Sequence, residues 1–401
     1  MTTAAHDLDA ADPLAAHRDL FVGVDSPLVY LDGNSLGRPL KASGQRLHTF
    51  VDEEWGGRLI RGWDESWMDL PRVLGDEIGA VALGAAAGQT IVGDSTTVLL
   101  YKLMRAGITL RPGRDEIVLD RDNFPTDRYL ADGVARECGL TLRWIDVDTT
   151  SGVTADLLAE ALSERTALVV LSHVAYRSAW LADGAGLTRL AHDAGALVLW
   201  DLSHSVGSVP LALDAWDADL AVGCTYKYLN GGPGAPAFAY VAGRLLDEIV
   251  QPIQGWMGAA DPFLMGPAYV PAPGIQRILS GTPPIIGMLA MQDMLALLGE
   301  VGLDAVREKS LGLTSYAIER AGELLAETTV ASPIDPLLRG GHVTLNHPHM
   351  REVTRALWQR DVVPDYRDPH GLRLGLSPLS TSYDEVERGL LAVRDVLDSR
   401  G

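Results

Sequence analysis

Cysteine is almost missing from this chain: Cys138 and Cys224 are the two in 401 residues. They lie far apart, with neither the close spacing of a metal knuckle nor the density of a disulfide framework. No metal is expected, and a reducing cytoplasm is the simplest compartment. Positive charge is scarce as well: 33 Lys and Arg stand against 53 Asp and Glu, a formal charge of −20. A surface that negative repels phosphate backbones and anionic headgroups, which argues against nucleic acid and membranes as partners. No apolar run approaches the roughly 18 residues of a membrane span. The acidic, Ala-rich stretch from Met1 to Asp12 has neither the basic nor the apolar region of an export signal. Internal repeats, low-complexity tracts and flexible linkers are absent too.

What remains is the composition of a packed protein. Hydrophobic residues make up 47% of the chain, enough for a large core, which predicts one large and one smaller domain. From about Asp94 to Gly243, short β-branched or apolar runs (116–119, 167–172, 196–200, 220–224, 237–241) alternate with stretches over 127–138, 155–163 and 187–194, where apolar residues recur at helical intervals. That alternation predicts strand–helix units, a parallel sheet and an α/β class. Pro and Gly crowd Tyr269 to Pro284 and interrupt helix and ladder alike, so the domain change is expected just after it. The expected division is a large α/β domain over 51–284 and a small α+β domain formed by 1–50 and 285–401. The latter would hold a long helix through Met294 and Leu298, a strand over 342–345 and helices over 350–360 and 383–397.

Four groups in the sheet region make a chemical set: Asp201 in Leu-Trp-Asp-Leu-Ser-His, His204 three residues on, and Tyr226 with Lys227 in Cys-Thr-Tyr-Lys-Tyr-Leu-Asn. Each follows an apolar strand run, and the strand ends of an open parallel sheet are where ligands bind. A carboxylate there is costly to desolvate unless it meets a cation, and a protonated pyridine nitrogen is one; the acid then keeps that ring an electron sink. The Lys227 amine, flanked by Tyr226 and Tyr228 beside an apolar strand, is expected to be partly desolvated and easier to deprotonate, as a Schiff-base lysine requires. Taken singly, each has an ordinary structural reading: Asp201 as a helix cap, His204 as a satisfied core histidine, Lys227 as a solvated loop residue. The succession strand, Asp, His, strand, Tyr-Lys is what points to chemistry.

Gly93-Asp94-Ser95-Thr96-Thr97 precedes a helical run over 98–104, and hydroxyls with free amides at a helix start suit a phosphate, although an ordinary N-cap reads the same way. Phe124, in Asp-Asn-Phe-Pro-Thr-Asp, is placed to stack on a flat cofactor ring, with Asp127 opening the next helix; a core aromatic is its ordinary reading.

At these residues the sequence resembles kynureninase, a hydrolase dependent on pyridoxal 5'-phosphate (PLP), from Tyr30 to about Tyr383. The matching stretches are 30–37 (Tyr-Leu-Asp-Gly-Asn-Ser-Leu-Gly), 59–63, 94–98, 124–127, 201–207, 225–230 (Thr-Tyr-Lys-Tyr-Leu-Asn), 255–258 (Gly-Trp-Met-Gly) and 280–284. The resemblance implies the PLP-dependent transferase fold type I, a large domain with a mostly parallel seven-stranded sheet plus a smaller α+β domain. It implies that Thr96 and Thr97 hold the phosphate, that Phe124 stacks on the ring, and that Asp127, Ser172, Asp201 and His204 surround the cofactor bound to Lys227. Tyr226 would touch the phosphate and relay protons. Trp256 and Thr282 look like the pair that reaches the neighbouring subunit's phosphate, which implies a homodimer with sites at its interface. Arg373 matches the arginine that takes the substrate α-carboxylate, with Ser35, Asn34 and Trp63 on the substrate side.

The implied reaction is hydrolysis of L-kynurenine to anthranilate and L-alanine by cleavage of the Cβ–Cγ bond, in tryptophan degradation or a biosynthetic branch. Trp63 and Thr282 match the bacterial-type enzymes, so unhydroxylated kynurenine is the first expectation. Two departures open another: Leu99 and Ala175 stand where the family carries asparagines, and Ser380 where a tyrosine is common. If Leu99 and Ala175 line one pocket, a modified kynurenine or other γ-keto amino acid would fit; if they pack elsewhere, the exchanges are neutral. The competing class is a cysteine desulfurase or β-lyase of the same fold, which needs a mobile nucleophilic cysteine that Cys224, at a strand end, does not offer.

Overall fold

The computed structural model describes residues 3–399. The apolar runs in the middle of the chain have no polar face to offer water, and they form a sheet covered on both sides. Its strands are β1 (Thr90–Val92), β2 (Glu116–Asp120), β3 (Thr141–Ile145), β4 (Thr166–Ser172), β5 (Leu197–Asp201), β6 (Leu220–Gly223) and β7 (Phe238–Val241). The spatial order is β1-β7-β6-β5-β4-β2-β3. Strands β2 to β6 are parallel to their neighbours, while β7 runs against both β6 and β1. The expected class, α/β of fold type I with a mostly parallel seven-stranded sheet, is the one found.

Local signals explain the helices on this sheet. Ser95 caps α1 (Thr96–Thr109) by accepting the Val98 amide, and the helix buries Leu99, Leu100, Leu103 and Met104 in the core. Pro125 opens α2 (Pro125–Cys138), where its missing N–H costs nothing, and Gly139 ends it in the left-handed region. Helices α3 (Ala155–Ala161) and α4 (Gly184–Asp193) are capped by Thr154 and Asp183. Each fully buried Leu or Val contributes roughly 1.5–3 kcal/mol, so dozens of them fix the strand ends against the helix starts.

Beyond the Pro-rich crossing, α5 (Ile285–Val301) places Met288, Met291, Met294 and Leu298 in the same large core, so the chain leaves that core only after Val306. The second core lies under an antiparallel sheet of β8 (Thr329–Val330), β9 (His342–Asn346), β10 (Asp365–Arg367) and β11 (Gly371–Gly375), ordered β10-β11-β9-β8. Helices α6 (Leu303–Leu324), α7 (Met350–Trp358) and α8 (Tyr383–Asp398) fill it with Leu313, Val353, Leu357 and Leu390. The N-terminal segment ties the two sheets together. Gly33 donates its amide to Gly375 O at 3.0 Å and Gly37 its amide to Tyr226 O at 2.9 Å. A Cβ on Gly37 would collide with the Lys227 carbonyl and with Asn230, so only glycine allows this approach to the lysine loop. Among the described residues no single helix is long and apolar enough to cross a membrane.

His173 follows β4 into the interior, where its ring lies edge-on to Trp200 and tilted to Trp216 and its Nδ1 lies 2.9 Å from Ser205 Oγ. Burial drives its pKa down to about 3. Since it titrates lower in the fold than in the unfolded chain, where about 6.5 applies, the stability tied to its neutral form is complete above that value and is lost as pH falls toward the folded one. We expect His173→Phe to gain about 2 kcal/mol relative to the parent between about pH 7 and about pH 5, read from urea unfolding at each pH. A pH-independent difference would contradict this.

Candidate active site

Every chemically interesting group of the large sheet comes from its carboxyl edge. Ser172 ends β4 and Asp201 ends β5, and the two are paired in register. Phe124 and Asp127 follow β2, and Tyr226 and Lys227 follow β6. These loops open on either side of the point where strand order reverses between β2 and β4, which is where an open sheet leaves a crevice. The crevice is a cavity of about 210 Å³ lined by Ser35, Thr96, Thr97, Phe124, Asp127, Ser172, Asp201, His204, Tyr226, Lys227 and Arg373 among the expected residues.

The buried Lys227 amine lies 3.0 Å from His204 Nε2 and 6.0 Å from the centre of the Phe124 ring. Burial, then the charges of Lys227 and Arg373, holds the His204 imidazole well below its usual range, so it is neutral beside the amine. Asp201 Oδ1 accepts the Ser203 amide at 2.8 Å. Asp127 is fully buried, and its carboxyl is pushed well up, first by burial and next by the negative charges of Asp201 and Asp120. The half-buried Tyr226 phenol is also raised, by burial and by Cys224 beside it, and keeps its proton at neutral pH. Ser172 Oγ donates to Asn123 Oδ1 at 2.8 Å. At the start of α1 the left-handed Asp94 is clamped by buried Lys102, whose amine also donates to Ile278 O at 2.8 Å.

Across the cavity, Arg373 of β11 is almost wholly buried. It donates from Nη1 to Tyr176 O at 2.7 Å and from Nη2 to Ser35 Oγ at 2.9 Å. The buried Asn34 amide, oriented so that both its ends are satisfied, accepts from Arg373 Nε at 3.1 Å and donates to Asp32 Oδ1 at 3.2 Å. Asn34 therefore backs the arginine and does not line the cavity.

Three expected residues lie elsewhere in the single chain. Trp256 and Thr282 are exposed, and Trp63 lines a separate apolar groove with Phe50, Trp55, Trp67 and Pro283 to Gly287. Leu99 and Ala175 do not share a pocket: Leu99 is in the large core, whereas Ala175 faces a small side cavity with Asp120 and Trp180. Ser380 is buried beside Phe21 and Tyr228, away from the site. Reasoning from sequence missed Thr126, Tyr176, Ser203 and Arg367, which also line the cavity. For Arg367 a signal existed: residues 365 and 367 share a face of β10, opposite Arg373 and Gly371 of β11.

This fold and this edge cluster define a pyridoxal-phosphate-dependent enzyme of fold type I. Solved structures of the same fold include C-DES with glycine covalently linked to its PLP cofactor (TM-score 0.84, 19% identity, 94% of this chain and 99% of that one). Another is the cysteine desulfurase CsdA from Escherichia coli (TM-score 0.83, 16% identity, 96% and 98%). The chain belongs to the kynureninase family. It is 40% identical to the kynureninase of Pseudomonas fluorescens (98% of this chain, 94% of that protein) and 42% identical to that of Deinococcus radiodurans (98% and 95%). Residues 306–392 match the model of the kynureninase C-terminal domain.

The residues present fit that cofactor. Two buried polar atoms of the cluster, Asp127 Oδ2 and His204 Nδ1, have no hydrogen-bond partner among the described residues, although such atoms are rarely left unpaired. The helix start at Thr96 and Thr97 suits a phosphate, and Phe124 on the cavity wall suits contact with a flat ring.

Asp127 supplies a test. An acid that titrates higher in the fold than in the unfolded chain stabilises fully below its unfolded value, about 3.9, and that stability is lost as pH rises through the folded one. Asp127→Asn copies the neutral acid. Without cofactor it should be more stable than the parent at about pH 8, with the gap narrowing toward about pH 5 in thermal unfolding; a gap of constant size would show that the carboxyl carries no such cost.

Proposed function

We propose that this chain hydrolyses L-kynurenine to anthranilate and L-alanine, breaking the Cβ–Cγ bond with pyridoxal 5'-phosphate held at Lys227. The observation that carries the reading is the buried Lys227 amine, set against a neutral His204 in the same cavity as Asp201 and Phe124, in a chain 40% identical to a kynureninase over 98% of its length. When bound, the cofactor supplies the electron sink that lets an amino acid lose its Cα proton. The protein's own groups do the rest. Asp201 offers a carboxylate to the ring nitrogen, and Thr96 and Thr97 offer hydroxyls and amides to the phosphate. Lys227 Nζ takes the Cα proton, and His204 Nε2 at 3.0 Å keeps the amine oriented. Water supplies the hydroxyl that leaves with the aromatic acid, and Tyr226, which retains its phenolic proton at neutral pH, delivers that proton to Cβ, where the electron pair of the broken bond remains. Arg373 takes the α-carboxylate, with Asn34 and Ser35 fixing the guanidinium.

The active form is a homodimer. Large apolar side chains beside the Pro-rich crossing are exposed, Leu264 at 71% and Met265 at 75%, and the Trp63 groove has the apolar character of an interface core. Trp256 and Thr282 then reach the partner's phosphate. The scarcity of cysteine favours the cytoplasm. A desulfurase reading is disfavoured, because the Cys224 thiol is buried, pushed up by that burial, and set 3.8 Å from Ser203 O.

Lys227→Ala should lose the visible absorbance of the lysine-bound cofactor; an unaltered spectrum would end the lysine assignment. Tyr226→Phe should keep the cofactor yet release anthranilate some 10²–10⁴-fold more slowly, followed by its fluorescence, and parent rates would remove the phenol from the chemistry.

A further inference from the structure

Arg373 has five N–H donors. Directed hydrogen bonds take three of them: Nε to Asn34 at 3.1 Å, one on Nη1 to Tyr176 O at 2.7 Å and one on Nη2 to Ser35 Oγ at 2.9 Å. One donor therefore remains on each terminal nitrogen, the pair that grips a carboxylate in the two-pronged mode. Asp365, directly opposite Arg373 across the β10–β11 ladder, already lies there, with Oδ2 2.6 Å from Arg373 Nη2. The carboxylate of Asp365 also lies 2.8 Å from Nε of Arg367, a second guanidinium on the cavity wall. Neither contact is aligned as a hydrogen bond, and Asp365 Oδ2 and Arg367 Nε both lack a directed partner. Charge holds this acid in place and geometry does not, which is the condition for an exchangeable contact. Negative charge is already crowded here: the Asp32 carboxyl is pushed up to about 6, first by burial and then by Asp365.

We propose that Asp365 is a built-in competitor for the substrate α-carboxylate, displaced from Arg373 when an amino acid binds and retained by Arg367. The proposal rests on the reading of Arg373 as the carboxylate site. Asp365 and Arg367 are positioning residues: they set how tightly Arg373 takes a carboxylate.

The test uses the PLP-loaded enzyme, with product L-alanine as the carboxylate probe and L-alaninamide as its uncharged counterpart. In Asp365→Asn, which keeps size and removes charge, inhibition by L-alanine should tighten by roughly threefold to tenfold and the kynurenine KM should fall with it. L-Alaninamide should not change. Arg367→Met, which leaves Asp365 leaning on Arg373 alone, should weaken L-alanine in the parent background but not beside Asp365→Asn. Unchanged or weaker L-alanine binding in Asp365→Asn, or an equal gain for the amide, overturns the proposal and leaves Arg373 as the carboxylate site. Parent-like L-alanine binding by Arg373→Met overturns that underlying reading as well.

Discussion

Two carboxyl groups are buried together at the edge of a parallel sheet, and the site is arranged around that cost. Asp201 is fixed by its place at the end of β5, in register with Ser172 of β4, and Asp127 by the first turn of α2. Burial first, and then the charge of Asp201, raises the titration of Asp127. Burying acid next to acid is unfavourable unless positive charge arrives. The chain provides one buried amine nearby, Lys227, and leaves a polar atom unpaired on Asp127 and on His204. A cofactor whose ring nitrogen is cationic would offset that cost.

Arg373 sets the second constraint, because its bonds come from different parts of the chain. Tyr176 O belongs to a loop after β4, Ser35 and Asn34 to the N-terminal segment, and Asp365 to the neighbouring strand. A ligand that reorganises this one guanidinium acts on the segment joining both sheets, since Gly33 and Gly37 carry that segment from β11 to the lysine loop. Arg373 therefore ties that segment to both the loop after β4 and the small sheet.

Much of this was legible beforehand, for identifiable reasons. Runs such as Val198 to Trp200 are too apolar to sit anywhere but a covered sheet, and an Asp or a Tyr-Lys pair directly after such a run has to face the carboxyl edge. Strands β1 and β3 escaped notice because β1 has three residues and β3, an edge strand, carries half-exposed Arg143 and Trp144 in place of a buried apolar run. The Pro-rich crossing suggested a break at 284, but α5 keeps its methionines in the large core, a long-range packing choice that local pattern does not encode. Arg367 was overlooked because a three-residue strand gives too short an alternation to register.

The substitutions at 99 and 175 show why residue type without place misleads. A leucine at 99 falls on the face of α1 that packs into the core, where an apolar side chain needs no ligand to explain it. At 175, the small side chain opens only onto a narrow space bounded by Trp180 and the buried Asp120, whose carboxyl is raised to about 7 by burial and by Asp122. The two positions share no wall, so they do not jointly widen the substrate cavity. The grip proposed for the amino-acid end of the substrate rests instead on Arg373 and the acid that stands beside it.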